Sequence, residues 1–530
     1  MIGLATVLGI LLLVLCAIGG LVVEAGQLAL LAELNKPITR SIIRFTLWQA
    51  ALSTLLSVAL AIPLARALAR RGRFLGRRLI IRLSSISLII PTMVAVLGIV
   101  AVHGRNGWIN QLLSALGLAR RDYLYGLVGI LIAHVFFNLP LATRIFLNGL
   151  LALPQHSWNL ARLYGMKPRH IFRHLEWPLL RGLIAGTAGM VFLLCFTSFA
   201  IVLTLGGGPK STTLEVAIYQ AIRFDFNLSK AVALSLIQIG ICTTLALVFF
   251  AGGAPFPLRA GDYPGIHRPD SGARLPLLTD CVVIVVASVF LISPLAAVLM
   301  KTLSPGGWSI LAEVDFWYAV CWTLLIALAA GLLSCLLALA VSNSIVTLRR
   351  ARLAVWAVGA EIVGLLTLLV PPITLGAGLF LFFRHFTDAL SLGPLLVIAL
   401  NALLALAFGI RILVPVLQVQ RNRYDPLCAS LGISGFHQWR HILWPTLRQP
   451  IAYALAIATT LSAGDMGVIA LFGTADLHTL PLLMYRLIGN YRLEQAAVVA
   501  VLLCALCFAL FWAIEWLGAA KTTRPATTDQ

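Results

Sequence analysis

Long runs of apolar residues, separated by short polar stretches, dominate the pattern of this 530-residue chain. A run of about 18 or more apolar residues is long enough to cross a bilayer as an α-helix. One run contains Pro371 and Pro372 and is expected to be kinked or broken there. The pattern predicts twelve membrane spans, near residues 2–23, 46–68, 84–104, 127–150, 183–206, 231–252, 278–300, 320–345, 354–383, 394–417, 450–473 and 494–517.

The second half of the chain repeats the first at an interval of roughly 266 to 277 residues. The stretch TLEVAIYQAI from Thr213 aligns with TLPLLMYRLI from Thr479, and TLWQAALSTLLSVALA from Thr46 resembles TLLIALAAGLLSCLLALA from Thr323. Each half then holds six spans. Because six is an even number, both halves enter and leave the membrane on the same side, as parallel repeats do.

A stretch rich in proline, glycine and arginine separates the halves and has the composition of a linker. We therefore predict an all-α integral membrane protein of about twelve transmembrane helices, built as two fused six-helix units. The first unit is predicted at 1–252 and the second at 277–518, with a linker at 253–276 and a tail at 519–530. The first span is expected to be retained, because no lysine or arginine precedes it as in a secretory signal.

Each half contains one basic segment, which follows the fourth predicted span of that half. The first repeated segment is NLARLYGMKPRHIFRHLEWP at 159–178, and the second repeated segment is PLCASLGISGFHQWRHILWP at 426–445. In both, a glycine precedes the closing proline by 13 positions (Gly165 to Pro178, Gly432 to Pro445). An amphipathic surface helix that only touches lipid headgroups would not require this spacing twice.

Local rules predict a helix, a glycine turn and a second helix in each repeated segment. Asp425 is expected to cap a helix that starts at Pro426, and Ser434 a second short helix that Pro445 limits. Gly165 and Gly432 would each supply a left-handed turn at the end of the first helix. The apolar face of such a helix pair needs a partner groove or a lipid surface.

The distribution of charge predicts how the chain is oriented in the membrane. The chain is 60% hydrophobic and only 11% charged, with a mean hydropathy of +0.97 and a net charge of +20. The positive charge is concentrated in short loops, which favours cytosolic placement of those loops over a nucleic-acid partner. The basic loops contain Arg66, Arg70, Arg71, Arg73, Arg77, Arg78 and Arg82 in the first half and Arg349, Arg350 and Arg352 in the second. The linker and the tail are then also expected in the cytosol, and most of the chain is expected to lie in the lipid bilayer.

The repeated segments resemble the EAA loop of ABC-importer permeases, whose pattern is Glu-Ala-Ala, three residues, Gly, nine residues and Ile-x-Leu-Pro. The correspondence covers Ala161, Gly165, Leu175 and Pro178 in the first segment and Gly432, Ile442 and Pro445 in the second. The departures are Asn159 and Pro426 in place of the glutamate, Cys428 in place of the second alanine, and Trp177 and Trp444 in place of the leucine. In that family the loop docks into a cleft on the ATPase subunit. The departures affect any role of the glutamate charge more than the docking role.

Nearly the whole chain is similar to the fused permeases of thiamine (and thiamine phosphate) importers of Gram-negative bacteria, with the related ferric-iron importers as the alternative. The clearest stretches are IAHVFFNLPLATR from Ile132, SFAIVLTLGGGPKSTTLEVAIYQAI from Ser198, and TLPLLMYRLIGNYR from Thr479. The resemblance implies a multi-pass protein of the bacterial inner membrane, a periplasmic thiamine-binding protein and a cytosolic ATPase homodimer. The chain has no GxxxxGK[ST] motif, so we expect ATP and Mg to be bound by the partner and no cofactor by this chain.

Ionisable and polar groups inside spans are costly and indicate a candidate pathway. Asp465 is the foremost candidate, because its sequence GDMG can break the eleventh span. His134 and Asn138 are four residues apart and share a face of the fourth span. Glu361 lies near the cytosolic start of the ninth span. Interhelical hydrogen bonding is the alternative role for each.

The sequence leaves two other classes of protein open. An ion-coupled secondary transporter commonly shows buried charges or broken helices at mid-membrane, whereas this chain shows few such charges and two docking loops. A structural membrane protein without transport is disfavoured by the internal duplication.

Overall fold

The computed structural model describes residues 2–24, 33–72, 74, 76–77, 80–81, 90–250, 268–270, 272, 274–386, 391–474 and 476–519. Every regular element among these residues is helical. Most of the predicted linker 253–276, the tail from residue 520, and Arg73, Arg78 and Arg82 of the first basic loop lie outside the described residues.

The described residues of the first half form eleven α-helices of very different length. They are α1 (Ile2–Glu24), α2 (Pro37–Arg70), α3 (Thr92–His103), α4 (Trp108–Ala115), α5 (Leu127–Leu151), α6 (Gln155–Leu163), α7 (Pro168–Ile171), α8 (Trp177–Phe196), α9 (Ala200–Leu205), α10 (Leu214–Arg223) and α11 (Leu228–Phe250). A π-helical turn, Phe172–Glu176, joins α7 to α8 without interruption.

The second half repeats this series. Its helices are α12 (Arg274–Lys301), α13 (Val314–Arg350), α14 (Ala354–Leu369), α15 (Pro372–Phe383), α16 (Gly393–Ser430), α17 (Gly435–Gln438), α18 (Trp444–Gly464), α19 (Gly467–Phe472), α20 (Leu480–Gly489) and α21 (Leu493–Gly518). A second π-helical turn, Trp439–Leu443, joins α17 to α18.

In the described part of the chain, nine helices are long and apolar enough to cross a membrane. They are Gly3–Val23, Pro37–Arg70, Leu127–Leu151, Pro168–Phe196, Leu228–Leu245, Pro276–Lys301, Val314–Arg350, Gly393–Ser430 and Leu493–Gly518. The chain is therefore a multi-pass membrane protein, which confirms the predicted class. Each of these nine helices overlaps one of the predicted spans.

Four predicted spans are not single long helices. One of them, 183–206, is broken between α8 and α9, although the continuous helix Pro168–Phe196 is itself long enough to cross the membrane. In the stretch 84–104 the described helix α3 has 12 residues, and residues 84–89 lie outside the described part. The stretch 354–383 is broken between α14 and α15, as the proline pair predicts. The stretch 450–473 is broken between α18 and α19. A helix of 12 residues extends only about 18 Å, which is less than the hydrocarbon thickness.

The same long-range hydrogen bond occurs in both halves. The Thr46 hydroxyl in α2 accepts a hydrogen bond from the backbone N–H of Leu214 at 3.1 Å. The Thr323 hydroxyl in α13 accepts one from the backbone N–H of Leu480 at 2.9 Å. Because these residues are the counterparts identified by the sequence repeat, the two halves fold alike around this contact.

Candidate functional site

Both repeated segments turn at their glycine in the same way. Gly165 and Gly432 have left-handed backbone angles, with φ of +58° and +67°. The N–H of the residue after each glycine donates to a carbonyl in the last helical turn, Met166 to Ala161 and Ile433 to Cys428, both at 2.9 Å. This is a Schellman motif, which favours glycine because a side chain is strained there. The predicted glycine turn is confirmed in both segments.

A small buried cluster anchors the first repeated segment. Trp158 and Ala161 of α6 are buried against Ile171 of α7, with Leu175 partly buried beside them. Cys428, the counterpart of Ala161, is buried in the second segment. Small residues at these two positions let the helix lie close to its support. Asn159, Pro426, Pro178 and Pro445 are exposed.

Each repeated segment also carries an apolar face that is exposed to solvent. Leu160 and its counterpart Leu427 are 50% and 52% exposed, and Tyr164 and its counterpart Leu431 are 74% and 64% exposed. Large apolar side chains exposed at matching places mark a binding surface more strongly than scattered ones do. We define these four residues as the docking face.

The closing prolines do not end their helices, which corrects the prediction. In each segment the helix continues through a π-turn into a long helix, and Pro178 and Pro445 lie in the first turn of α8 and α18. A proline lacks the N–H that would bond to the carbonyl four residues earlier, and its ring clashes with that carbonyl. The wider π-turn relieves this clash, so the helix passes through. Ile442 lies within the second π-turn and is partly buried.

The cap predicted at Asp425 is also wrong. Helix α16 runs without a break through Pro415 and Pro426 to Ser430, so Asp425 lies inside it. Its carboxylate instead accepts a hydrogen bond from Gln438 at 2.7 Å and pairs with Arg350 of the second basic loop. Ser434 does precede α17, but its side chain makes no capping hydrogen bond.

Arginines and carboxylates of the first half and of the predicted linker form a largely buried cluster beside the first repeated segment. Glu176 of the π-turn accepts hydrogen bonds from Arg66 of α2 at 2.6 Å and from Arg268 at 2.5 Å. Asp270 pairs with Arg268 at 2.9 Å and with Arg70 at 2.9 Å. We call these five residues the arginine–carboxylate cluster. It places the first basic loop against the first repeated segment, as Arg350 does in the second half.

Arginine neighbours determine the ionisation of Asp270. Burial would raise the pKa of its carboxyl group, but the hydrogen bonds and positive charge of Arg268, followed by those of Arg70, lower the pKa below its ordinary value. Asp270 is therefore ionised at neutral pH, and the cluster is held by charge-assisted hydrogen bonds.

A central cavity of about 450 Å³ lies where helices of both halves are interrupted. Its lining includes the ends of the breaks before α3 (Ile90, Pro91), before α9 (Thr197–Phe199), before α15 (Val370) and before α19 (Gly464–Met466). Two breaks come from each half, at corresponding places in the repeat. Non-helical backbone at membrane depth is tolerated where it lines a cavity, and this volume suits a small organic molecule.

Three of the predicted pathway residues line this cavity. They are His134, Asn138 and Asp465. His134 shares a hydrogen bond with Ser53 at 2.9 Å through Nδ1, and Asn138 donates to the His134 carbonyl at 2.9 Å. The Asp465 carboxylate accepts hydrogen bonds from the backbone N–H groups of Gly467 at 3.3 Å and Val468 at 3.1 Å, and so caps α19. It therefore combines a structural role with a place on the cavity wall.

Glu361 lies elsewhere. It is partly exposed, pairs with Arg349 at 2.5 Å and is not among the residues that line the cavity. The structure does not support the pathway role predicted for it, because a neighbouring basic loop satisfies its charge.

Two cavity residues were missed by sequence reasoning. Glu215 is buried at the start of α10; its Oε1 accepts from Gln238 at 2.9 Å, and its Oε2 has no hydrogen bond in the described part of the chain. Asn401 has an unbonded Oδ1 there too, and is the repeat counterpart of His134. Aligning the repeat would have found Asn401, since His134 was already a candidate.

Comparison with known proteins gives the family. A family model described as "Binding-protein-dependent transport system inner membrane component" matches residues 57–254, which include the first repeated segment. The thiamine transport system permease protein ThiP of Salmonella typhimurium (strain LT2) is 42% identical over 490 residues, or 92% of this chain and 90% of that protein. The ThiP proteins of Escherichia coli (strain K12) and Brucella abortus (strain 2308) are 41% and 40% identical, over 90% and 91% of this chain and 88% of each relative.

The chain belongs to the thiamine transport system permease family. The predicted resemblance is thereby confirmed. This permease is a multi-pass component of the inner membrane and the transport subunit of an ABC transporter, not itself an ATPase. A binding-protein-dependent system implies two further partners, an ATPase and a substrate-binding protein. ATP and its metal ion are then bound by the ATPase.

Proposed function

We propose that this chain is the permease of an importer that carries thiamine, and with it thiamine phosphates, across the inner membrane. It consists of two parallel six-span units, at 1–252 and 277–518, joined by a cytosolic linker at 253–276 and followed by a cytosolic tail at 519–530. The Thr46–Leu214 and Thr323–Leu480 hydrogen bonds and the matching π-turns support this division. The broken stretches 84–104, 354–383 and 450–473 complete the twelve spans.

One observation carries the proposal: two equivalent glycine turns, each with an exposed docking face. We infer that the two segments dock on the two subunits of a cytosolic ATPase homodimer, one segment on each identical cleft. The residues assigned to this coupling are Asn159, Ala161, Gly165, Leu175 and Pro178 in the first segment, and Pro426, Cys428, Gly432, Ile442 and Pro445 in the second. The glycines shape the turn, the small buried residues seat the helix, and the prolines set the π-turn.

The central cavity is the proposed passage for the substrate. Thiamine carries a positive charge, and a carboxylate such as Asp465 stabilises a cation in a medium of low dielectric constant. Aromatic rings can add cation–π attraction, and Phe137 and Phe199 also line the cavity. His134 and Asn138 offer polar contacts for the rest of the molecule.

Alternating access then follows from partners that prefer different states. The ATPase acts at the docking faces, while a periplasmic thiamine-binding protein acts at the other end of the helices. At that other end Phe226 and Tyr491 occupy left-handed backbone, with φ of +49° and +59°, in corresponding turns before α11 and α21. Both aromatic side chains are exposed. Strained, exposed aromatic residues at two equivalent turns support a contact with this partner.

The test is uptake of labelled thiamine into liposomes that contain this chain, its ATPase and the binding protein. We expect uptake that requires ATP and the thiamine-loaded binding protein. Uptake of ferric iron instead would keep the importer class and overturn the substrate. Uptake driven by an ion gradient without the ATPase would overturn the importer class in favour of a secondary transporter.

A further inference from the structure

The segment between the two halves reaches back into the first repeated segment. Arg268 lies in the predicted linker, yet its side chain is only 2% exposed. Its guanidinium lies 4.3 Å from the centre of the Trp158 ring and donates to Glu176. Trp158 precedes the Gly165 turn and Glu176 follows it, so a single arginine touches both arms of the turn.

The contacts continue to the first helix of the second half. Arg70, at the end of α2, pairs with Asp270 and also with Asp280 of α12, the latter at 2.8 Å. Arg71 pairs with Asp280 at 2.9 Å. An unbroken series of buried ion pairs therefore runs from the π-turn, through Arg268 and Asp270, to α12.

The second repeated segment is held differently. Its counterpart of Trp158 is Asp425, which pairs with Arg350 of the adjacent basic loop. The Arg350 side chain is 36% exposed, against 2% for Arg268. Within the described residues, Asp425, directly before the second segment, pairs only with Arg350 and Arg421 of its own half. Glu176 of the first segment pairs with Arg268 of the linker. Because exposed pairs are screened by water, the first segment is the more firmly fixed.

We infer that Arg268 and Asp270 are positioning residues of the importer: they fix the first repeated segment to α12, so that displacement of this segment by the ATPase moves the second half as well. The inference rests on the proposed docking of that segment. Arginine suits the role because its planar, permanently charged group can bond two carboxylates and stack on an aromatic ring, which lysine cannot do equally well. A buried, multiply bonded charge also fixes one arrangement rather than several.

The variant that tests this is Arg268→Met. Met keeps an unbranched chain but removes the charge, and the fold should survive because Glu176 retains Arg66 and Asp270 retains Arg70. The matched control is Arg105→Met, which removes the arginine of an exposed pair with Asp122. Two readouts are taken: limited trypsin cleavage of the purified chain, and the ratio of thiamine carried to ATP hydrolysed in the assembled importer.

Trypsin cleavage after Arg162, which is exposed in α6, reports the mobility of the first repeated segment. Cleavage after Arg440, exposed in the second π-turn, is the internal reference. We expect Arg268→Met to raise the Arg162 rate roughly tenfold or more, as loss of one partner of a buried ion pair does, and to leave the Arg440 rate unchanged. An unchanged Arg162 rate, or an equal rise at both sites, would overturn the inference.

In the importer we expect Arg268→Met to lower the thiamine-to-ATP ratio severalfold while ATPase binding and ATP hydrolysis persist. A normal ratio in Arg268→Met would overturn the positioning role even if Arg162 became more accessible. Failure of the proposed function looks different, because the wild-type assembly would then show no stimulated hydrolysis. The trypsin comparison is independent of that result and would still test the contact between linker and segment.

Discussion

Gly165 and Gly432 hold the same left-handed position in two turns that lie half a chain apart. In both, the amide after the glycine closes the turn on a small buried residue, Ala161 or Cys428. The left-handed glycine reverses the direction of the chain. The exposed docking face therefore precedes the turn, and the π-turn follows it. In the docking that we propose, two such turns in one chain would provide one contact for each subunit of the ATPase homodimer.

Replacing either glycine with valine should uncouple transport. A Cβ at Gly165 or Gly432 meets no atom within 4 Å, so the cost is backbone strain rather than a clash. That strain is about 1–2 kcal/mol for a left-handed residue, enough to reshape the turn but not to unfold the protein. We expect thiamine uptake to fall at least tenfold in Gly165→Val and Gly432→Val, measured in liposomes with normal membrane insertion.

Two variants serve as controls for this prediction. Gly182→Val places valine at an exposed glycine of α8 that also has open space around its Cβ, without a left-handed backbone. Gly165→Asn keeps a residue that tolerates left-handed angles. Both should transport normally. Equal losses in all the variants would contradict the role of the turn.

The docking face should determine affinity for the ATPase. Burying a leucine side chain contributes about 1.5–3 kcal/mol, so Leu160→Ser and Leu427→Ser should each weaken binding about tenfold or more. The measurement is the dissociation constant of the purified permease and ATPase. Leu332→Ser, at an exposed leucine in the middle of α13, is the control and should bind normally. Normal binding by both docking-face variants would argue against the assigned surface.

The charge of Asp465 should matter for uptake more than its helix cap. Asparagine caps a helix about as well as aspartate, so Asp465→Asn should keep α19 and its stability while removing the carboxylate charge from the cavity. We expect a loss of thiamine uptake of at least tenfold with an unchanged unfolding temperature. A loss in Asp465→Ala but not in Asp465→Asn would mean that the residue acts only as a cap.

Glu361→Gln is the matched control for that experiment. Glu361 is partly exposed, pairs with Arg349 and is not among the residues that line the cavity. Partly exposed ion pairs contribute about 0–1 kcal/mol, so stability and uptake should change little. A large loss of uptake in Glu361→Gln would restore the pathway role that its position disfavours.

The arginine–carboxylate cluster should give a defined dependence of stability on pH. The pKa of Asp270 is lowered in the folded chain, so its contribution is complete above the ordinary carboxyl pKa of about 3.9 and is lost as the pH falls through the lower, folded value. The unfolding temperatures of the wild type and Asp270→Asn should therefore differ by about the same amount at pH 6 and at pH 7. The two unfolding temperatures should converge as the pH falls below about 4. A difference in unfolding temperature that widens at acid pH would contradict the ion pairing assigned to Asp270.

Sequence reasoning succeeded where the signal was local or repeated. Hydropathy located the nine long apolar helices of the described residues, and the glycine and proline spacing located both turns and the break at Pro371. It failed at Pro178 and Pro445, because a π-turn that absorbs a proline has no pattern of its own. It failed at Asp425 for a similar reason. Helix α16 continues through Pro426, so Asp425 lies inside the helix, and its carboxylate bonds to a residue from elsewhere in the chain.

Contacts between distant residues were beyond the sequence. Arg268 and Glu176 are separated by 92 positions, and Arg70 and Asp270 by 200. Nothing local distinguishes Arg268 from the other arginines of a basic linker. Glu215 was missed for the same reason, because its burial and its contact with Gln238 of the next helix leave no local pattern.

The most direct test of the coupling account is photo-cross-linking from the two docking faces. A photoreactive amino acid is placed at Tyr164 or at Leu431 in the assembled importer, and at Phe226 as the site at the opposite end. We expect Tyr164 and Leu431 each to give an adduct with the ATPase polypeptide, of which the homodimer contains two copies, and Phe226 to give no adduct with it. Adducts from only lipid at Tyr164 and Leu431, or an ATPase adduct from Phe226, would contradict the account.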